Sequence, residues 1–357
     1  MEIMNPNKSN LIAIDFFCGA GGMTNGFRKA GIKIIAGIDI DGECKETYEK
    51  NNRGSNFILA DIKKLSFEDF EKQTGIKKND DNLIFIGCSP CQYWTKIKTD
   101  RTKSKGSRHL LADFQKYVEE YNPGYIVIEN VPGILTKEES PLNDFLEFLK
   151  INNYSHDKAI IDAYKYGVPQ TRRRFLLIAS RVNKYIKLPQ PTTKISTVRD
   201  FISEAKGFPE LKAGTFDGTF KMHTVAGLSE INLLRLKMTK KNGGTRLSYV
   251  DDKNLAVPCQ YNKKNSFHDT YGRMHWDKPA PTITTKFISI SNGRFAHPEQ
   301  DRAISLREGA TLQTFDKSYK FYGSSIASIA KHIGNAVPPA LSKKIALSII
   351  NLQDYEQ

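Results

Sequence analysis

Pro90-Cys91-Gln92 offers a cysteine in the setting that a thiolate nucleophile needs. The apolar run Leu83–Gly87 before it predicts a strand, so Cys91 falls just past a strand end. Lys96, Lys98, Arg101, Lys103, Lys105 and Arg108 follow within 17 residues, opposed only by Asp100. Nearby cations favour the ionised thiol, which is the reactive form. Glu129-Asn130-Val131 closes a second apolar run, Tyr125–Ile128, where a carboxyl group suits proton donation to a ring nitrogen. Gln170-Thr171-Arg172-Arg173-Arg174 precedes a third run, Phe175–Ala179. Arg172 and Arg174 are two residues apart and would share a strand face, and a planar guanidinium can clamp a phosphate or a base carbonyl.

A different chemistry sits near the N-terminus. Asp15-Phe16-Phe17-Cys18-Gly19-Ala20-Gly21-Gly22 reads as a strand-to-helix turn, where Gly19 and Gly21 let the backbone approach a ligand and leave helix N–H groups free. The turn lacks both the G-x-G-x-x-G spacing of dinucleotide folds and the Gly-Lys-Ser/Thr ending of a P-loop. Asp39 ends the next apolar run, where an acid can bind both hydroxyls of a ribose. Turn and acid together point to an adenosine-containing cofactor with no phosphates to cradle. Each residue also has a plainer reading: a solvated strand-end acid, an exposed Glu, a hydrated arginine run. Cys88 and Cys91 form a C-x-x-C, but no second pair completes a zinc site and the pair follows the fourth strand, which disfavours redox and metal roles.

The elements that must position these residues alternate regularly. Leu11–Phe17, Ile32–Ile40, Phe57–Ala60, Leu83–Gly87, Tyr125–Ile128 and Phe175–Ala179 predict strands, with helices expected up to Ala30 and over Glu43–Asn51. Such alternation implies an α/β, doubly wound, mostly parallel sheet with crossovers on both faces. Asp39, Asp61, Cys91 and Glu129 would then lie on one carboxyl edge, where ligands bind in such sheets. From about 187 to 294 the pattern gives way to Gly, Pro, Asn and Lys with short β-like pieces such as Thr282–Phe287, which predicts a smaller domain of mixed or β character. Helices are expected over Ser305–Phe315, Ser324–His332 and Pro339–Leu352. The domains are accordingly 1–186, 187–294 and a return segment, 295–357, that completes the first.

Net charge is +14, and residues 215–295 hold thirteen Lys and Arg against six Asp and Glu. A field of that sign concentrates polyanions. Five thinly spread cysteines predict free thiols in a reducing cytoplasm, and no apolar run is long enough to span a membrane.

The ordered set of blocks resembles the DNA (cytosine-5)-methyltransferases of bacterial restriction–modification systems, nearly end to end. Asp15–Gly22 is similar to their cofactor block, Pro90-Cys91-Gln92 to the nucleophile block, Glu129-Asn130-Val131 to the acid block and Gln170–Arg174 to the Q-x-R-x-R block. Arg307-Glu308 and Gly334-Asn335-Ala336-Val337 match the last two. The resemblance implies a class I S-adenosylmethionine-dependent fold with a target-recognition domain, and a bound S-adenosylmethionine without metal. Phe17 would pack on adenine, Asp39 would bind ribose, Asp61 would bond adenine with Ile62 against its ring, and Pro90, Leu111 and Asn335 would complete the pocket. Ile40 stands where some relatives place an aromatic residue. Cys91 would attack C6 of a flipped-out cytosine, with Glu129, Arg172 and Arg174 assisting. Gln92, Arg108, Arg246, Arg273, Thr282 and Ile283 would contact DNA, the last two as the family's Thr-plus-aliphatic pair.

The rival readings are a tRNA cytosine-5 methyltransferase, a catalytically inactive DNA-binding regulator and a thiol-disulfide oxidoreductase using Cys88 and Cys91. The expected partner is duplex DNA, with a cognate restriction endonuclease acting separately. A cytoplasmic monomer without membrane contact is the expected form.

Overall fold

The computed structural model describes residues 10–90, 109–136, 140–218, 222–265 and 268–353. By its contacts the chain parts into two compact units: Met1–Asp162 with Arg173–Pro191 and Val337–Gln357, and Ala163–Arg172 with Thr192–Ala336. This division corrects the sequence boundaries, since 295–336 and the short piece 163–172 belong with the second unit.

The first unit is built on seven strands, β1 (Ile12–Phe16), β2 (Lys33–Asp39), β3 (Asn56–Leu59), β4 (Leu83–Gly87), β5 (Tyr125–Asn130), β6 (Ser155–Asp162) and β7 (Arg173–Ser180). Their order is β3-β2-β1-β4-β5-β7-β6. The pairs from β3 to β5 are parallel, while β7 runs antiparallel to both of its neighbours. Because β7 is reversed, its N-terminal residues Arg173 and Arg174 reach the edge where the parallel strands end. The chain leaves β1 toward β2 on one side and reaches β4 on the other, which makes the β1/β4 boundary the switch point where α/β sheets bind ligands.

Alternation along β1 divides the labour between the faces. Ile14 and Phe16 enter an aromatic core with Phe70 of α3 (Phe67–Thr74), Phe114 and Tyr117 of α4 (Leu110–Tyr121) and Phe145 of α5 (Leu142–Ile151). Asp15, on the opposite face, accepts from the backbone N–H and hydroxyl of Thr24 in α1 (Gly22–Lys29). Between β2 and β3 lies α2 (Lys45–Asn51). The last helix of the unit, which becomes α10 in chain order (Pro339–Gln353), packs along α1. A Cβ on Gly22 would sit 2.2 Å from the Val337 carbonyl oxygen, and one on Gly26 would sit 2.3 Å from Ser342 Cβ, so only glycine permits this approach.

The second unit is helix and turn. It carries α6 (Arg199–Ile202), α7 (Glu230–Met238), α8 (Leu306–Leu312) and α9 (Ile326–Asn335). Among its described residues there are isolated bridges but no strand, and Thr282–Phe287 is irregular, which corrects the expected mixed or β character. Buried arginines hold the turns instead. No described helix is long and apolar enough to cross a membrane.

Candidate active site

The strand ends of the first unit surround a cavity of about 190 Å³. Phe17, Asp39, Ile40, Asp61, Ile62 and Pro90 line it, together with Phe16, Ile38, Ala60, Lys63 and Leu110. Phe17 has φ 62, a left-handed conformation that costs an L-residue about 1 kcal/mol. It follows β1 directly, and the sharp turn places its ring on the cavity wall. Gly19 and Gly21 continue the turn with φ 50 and φ 84. Asp39 is clasped by two backbone donors, the Gly19 N–H to Oδ2 and the Asp41 N–H to Oδ1, each at 2.8 Å. Burial pushes its carboxyl upward, while those N–H groups pull the other way. Asp61 Oδ1 accepts from the Lys63 N–H at 3.1 Å. Ile40 is 69% exposed at the rim, a large apolar side chain left for a ligand to cover.

Leu111 is a correction. It is buried in the core, and its neighbour Leu110 lines the cavity. The stripe Leu111, Phe114, Val118, Tyr121 follows helical spacing, so the sequence carried the signal that Leu111 faces inward. Lys63 and Ala60 carried none, since a short loop after a strand has no periodicity.

Glu129 near the end of β5 is buried and pairs with Arg174 Nε at 2.9 Å. Asn130 donates from Nδ2 to the Ser89 carbonyl at 3.3 Å and to Ser89 Oγ at 3.1 Å, which ties the start of the Pro90 loop to β5. In the sequence Asn130 stands out only as part of a block. Burial and the charges of Glu129 and Asp15 push the Cys88 thiol well above the ordinary thiol range, so Cys88 is a poor partner for thiol exchange. Cys91, Gln92 and Arg108 lie outside the described residues.

Arg172 precedes β7 and does not share a strand face with Arg174. Its guanidinium instead donates to the carbonyls of Ile283 and Gly334 within the second unit. Gln170 is buried there too, accepting from the Ile283 N–H at 3.2 Å and donating to Gln313 Oε1 at 2.8 Å. Thr282 donates to the Thr171 carbonyl at 3.1 Å, and Ile283 is buried. Asn335 is exposed at the end of α9.

The expected base-reading roles of Arg246 and Arg273 are also corrected, as both are fully enclosed. Arg246 donates to the carbonyls of Gln260 and Lys263. Arg273 donates to those of Thr239, His297, Gln300 and Leu236 and pairs with Asp301. With no strand among its described residues, the unit leaves many carbonyls unpaired, and a five-donor guanidinium satisfies several at once. In α8, Ser305 and Glu308 form a capping box, and Arg302 grips the buried Glu308 carboxylate with two bonds of 2.7 and 2.8 Å.

Residues 11–351 match the family model described as C-5 cytosine-specific DNA methylase. The chain is 39% identical over 345 residues to the Type II methylase M.HgiDII of Herpetosiphon aurantiacus, covering 94% of each chain. It is 29% identical to the Type II methyltransferase M1.HphI of Haemophilus parahaemolyticus, covering 97% of this chain and 88% of that one. Its fold is similar to that of the S. pombe Dnmt2 methyltransferase in a crystal structure, with a TM-score of 0.63, 17% identity and coverage of 96% and 99%.

Proposed function

The chain belongs to the family of C-5 cytosine-specific DNA methylases, and we propose that it moves a methyl group from S-adenosylmethionine to C5 of a cytosine flipped out of duplex DNA, through a bond between Cys91 and C6. The observation that carries this reading is the buried Glu129–Arg174 pair set on the same sheet edge as the Phe17–Asp39–Asp61 cavity. The cavity's donor set fits the cofactor. Phe17 and Ile62 offer apolar faces for adenine, Asp61 an acceptor for its amine and Asp39 acceptors for the ribose hydroxyls. When bound, S-adenosylmethionine supplies an electrophilic methyl group.

Cytosine C5 is a weak nucleophile and needs activation. Addition of the Cys91 thiolate to C6 makes the ring an enamine, provided that N3 receives a proton or a strong hydrogen bond. Glu129 supplies it, held in place by Arg174. C5 then takes the methyl group, a base removes the C5 proton and Cys91 departs. A stacked base cannot offer its face to this chemistry, so the target must leave the helix. The second unit reads the sequence, and the enzyme serves as the methylating arm of a type II restriction–modification system.

Duplex DNA with 5-fluorocytosine at the target tests the mechanism, because fluorine cannot depart as the proton does. With S-adenosylmethionine present, the protein is expected to form a denaturant-resistant adduct that peptide mapping places on Cys91. Cys91→Ala should lose both adduct and methylation, and Cys88→Ala should keep both. An adduct on Cys88, or methylation only of tRNA, would reject this reading.

A further inference from the structure

Strand β4 ends at Gly87, which pairs with Ile128 of β5. β5 runs on to Asn130, which pairs with Phe175 of β7. The parallel register of β4 and β5, carried on by two residues, sets Ser89 opposite Asn130. There the Asn130 side chain takes over from the ladder. Its Nδ2 donates to the Ser89 carbonyl at 3.3 Å and to Ser89 Oγ at 3.1 Å, while its Oδ1 accepts from the Val131 N–H at 2.8 Å. Both residues are buried. N–H···O bonds fall mostly within about 2.7–3.2 Å, so the hydroxyl makes the better of the two bonds. Any residue at this position would offer the carbonyl, whereas the hydroxyl belongs to this side chain. Asn130 directly follows Glu129, and one proline separates Ser89 from Cys91. The proline ring fixes its own φ and confines the residue before it to extended conformations, so this link is stiff and passes a shift of Ser89 along the chain.

We propose that Ser89 is a positioning residue, whose hydroxyl acts through Asn130 to hold the loop that leads to Cys91 against the strand that carries Glu129. Attack at C6 and proton supply at N3 are then served from one fixed frame. The proposal rests on the roles given above to Cys91 and Glu129. In Ser89→Ala the buried Asn130 amide keeps only its longer contact, to the carbonyl, and the spacing between loop and strand loosens. Ser89 does not line the cavity of Phe17, Asp39 and Asp61, so the methyl donor keeps its own contacts.

The rate at which the 5-fluorocytosine adduct forms, with duplex and S-adenosylmethionine both saturating, reads the attack step apart from binding. Ser89→Ala is expected to slow it by about threefold to tenfold, the worth of one hydrogen bond to a buried group. Its Kd for S-adenosylmethionine and its KM for DNA should stay within about twofold of wild type, a split that a general loss of folded protein would not produce. Asn130→Ala should slow the adduct further, and adding Ser89→Ala to it should cost little more, because the hydroxyl acts through that amide. A wild-type adduct rate in Ser89→Ala overturns the proposal, as do losses that multiply in the double variant. Adduct or methylation surviving in Cys91→Ala would instead remove the roles on which the proposal rests, and Ser89 with them.

Discussion

Truncating Asp39 to alanine removes more than the ribose contact that its position at a strand end suggests. The Gly19 and Asp41 N–H groups also lose their acceptor, and the turn bearing Phe17 is left tied to β2 by the Cys18 N–H to the Ile38 carbonyl. Asp39→Ala is therefore expected to weaken S-adenosylmethionine binding by about 1–3 kcal/mol or slightly more, with Asp39→Asn in between because one acceptor survives. Wild-type affinity in Asp39→Ala, measured by calorimetry, would reject the pocket. Residues of this kind are readable because an acid that ends an apolar run is placed at a strand end by the hydropathy pattern alone. Arg246 and Arg273 are not. A basic residue beside glycines reads as a surface arm, and only the arrangement of surrounding carbonyls shows that the guanidinium turns inward.

At the level of elements, legibility followed burial. Strands β1, β4 and β5 are buried nearly throughout and read as plain apolar runs. Strand β6 escaped because Ser155–Asp162 is a half-exposed edge strand of mixed polar residues, with no period to detect. The short β-like piece at Thr282–Phe287 misled for the converse reason. Its Thr and Ile suit a strand, but Ile283 is fixed by Gln170 and finds no neighbouring strand. The second unit relies on connections such as that between α8 and the Arg302 loop. Glu308→Gln removes one partner of an ion pair that is wholly buried, leaving the Arg302 charge uncompensated, and should destabilise the unit by about 3–5 kcal/mol. Ser305→Ala, which removes only the cap, should cost about 1 kcal/mol. Denaturant unfolding compares the two, and equal effects would show that the ion pair contributes nothing beyond the cap.

For the whole molecule, the division into units alters how specificity should be transplanted. The insertion between Pro191 and Val337 is longer than the composition change alone suggested, and α8 and α9 travel with it. Replacing 192–336 by the matching segment of a relative with another target should move the methylated site, as read by bisulfite sequencing. An active graft that kept the original site would refute the assignment of sequence reading to this unit. The basic charge was legible as a total but not as a distribution of free groups. Arg199 and Arg294, for example, are paired with Asp277 and Asp269, and Lys241 and Lys264 with Asp301 and Asp251. The glycine face of α1 has a consequence in time. It is covered by α10, made more than three hundred residues later, so on the ribosome the nascent cofactor unit waits with that face bare while the whole second unit is synthesised. An incomplete polypeptide would thus carry the lining residues of the cavity while the helix that follows β1 still lacks its cover.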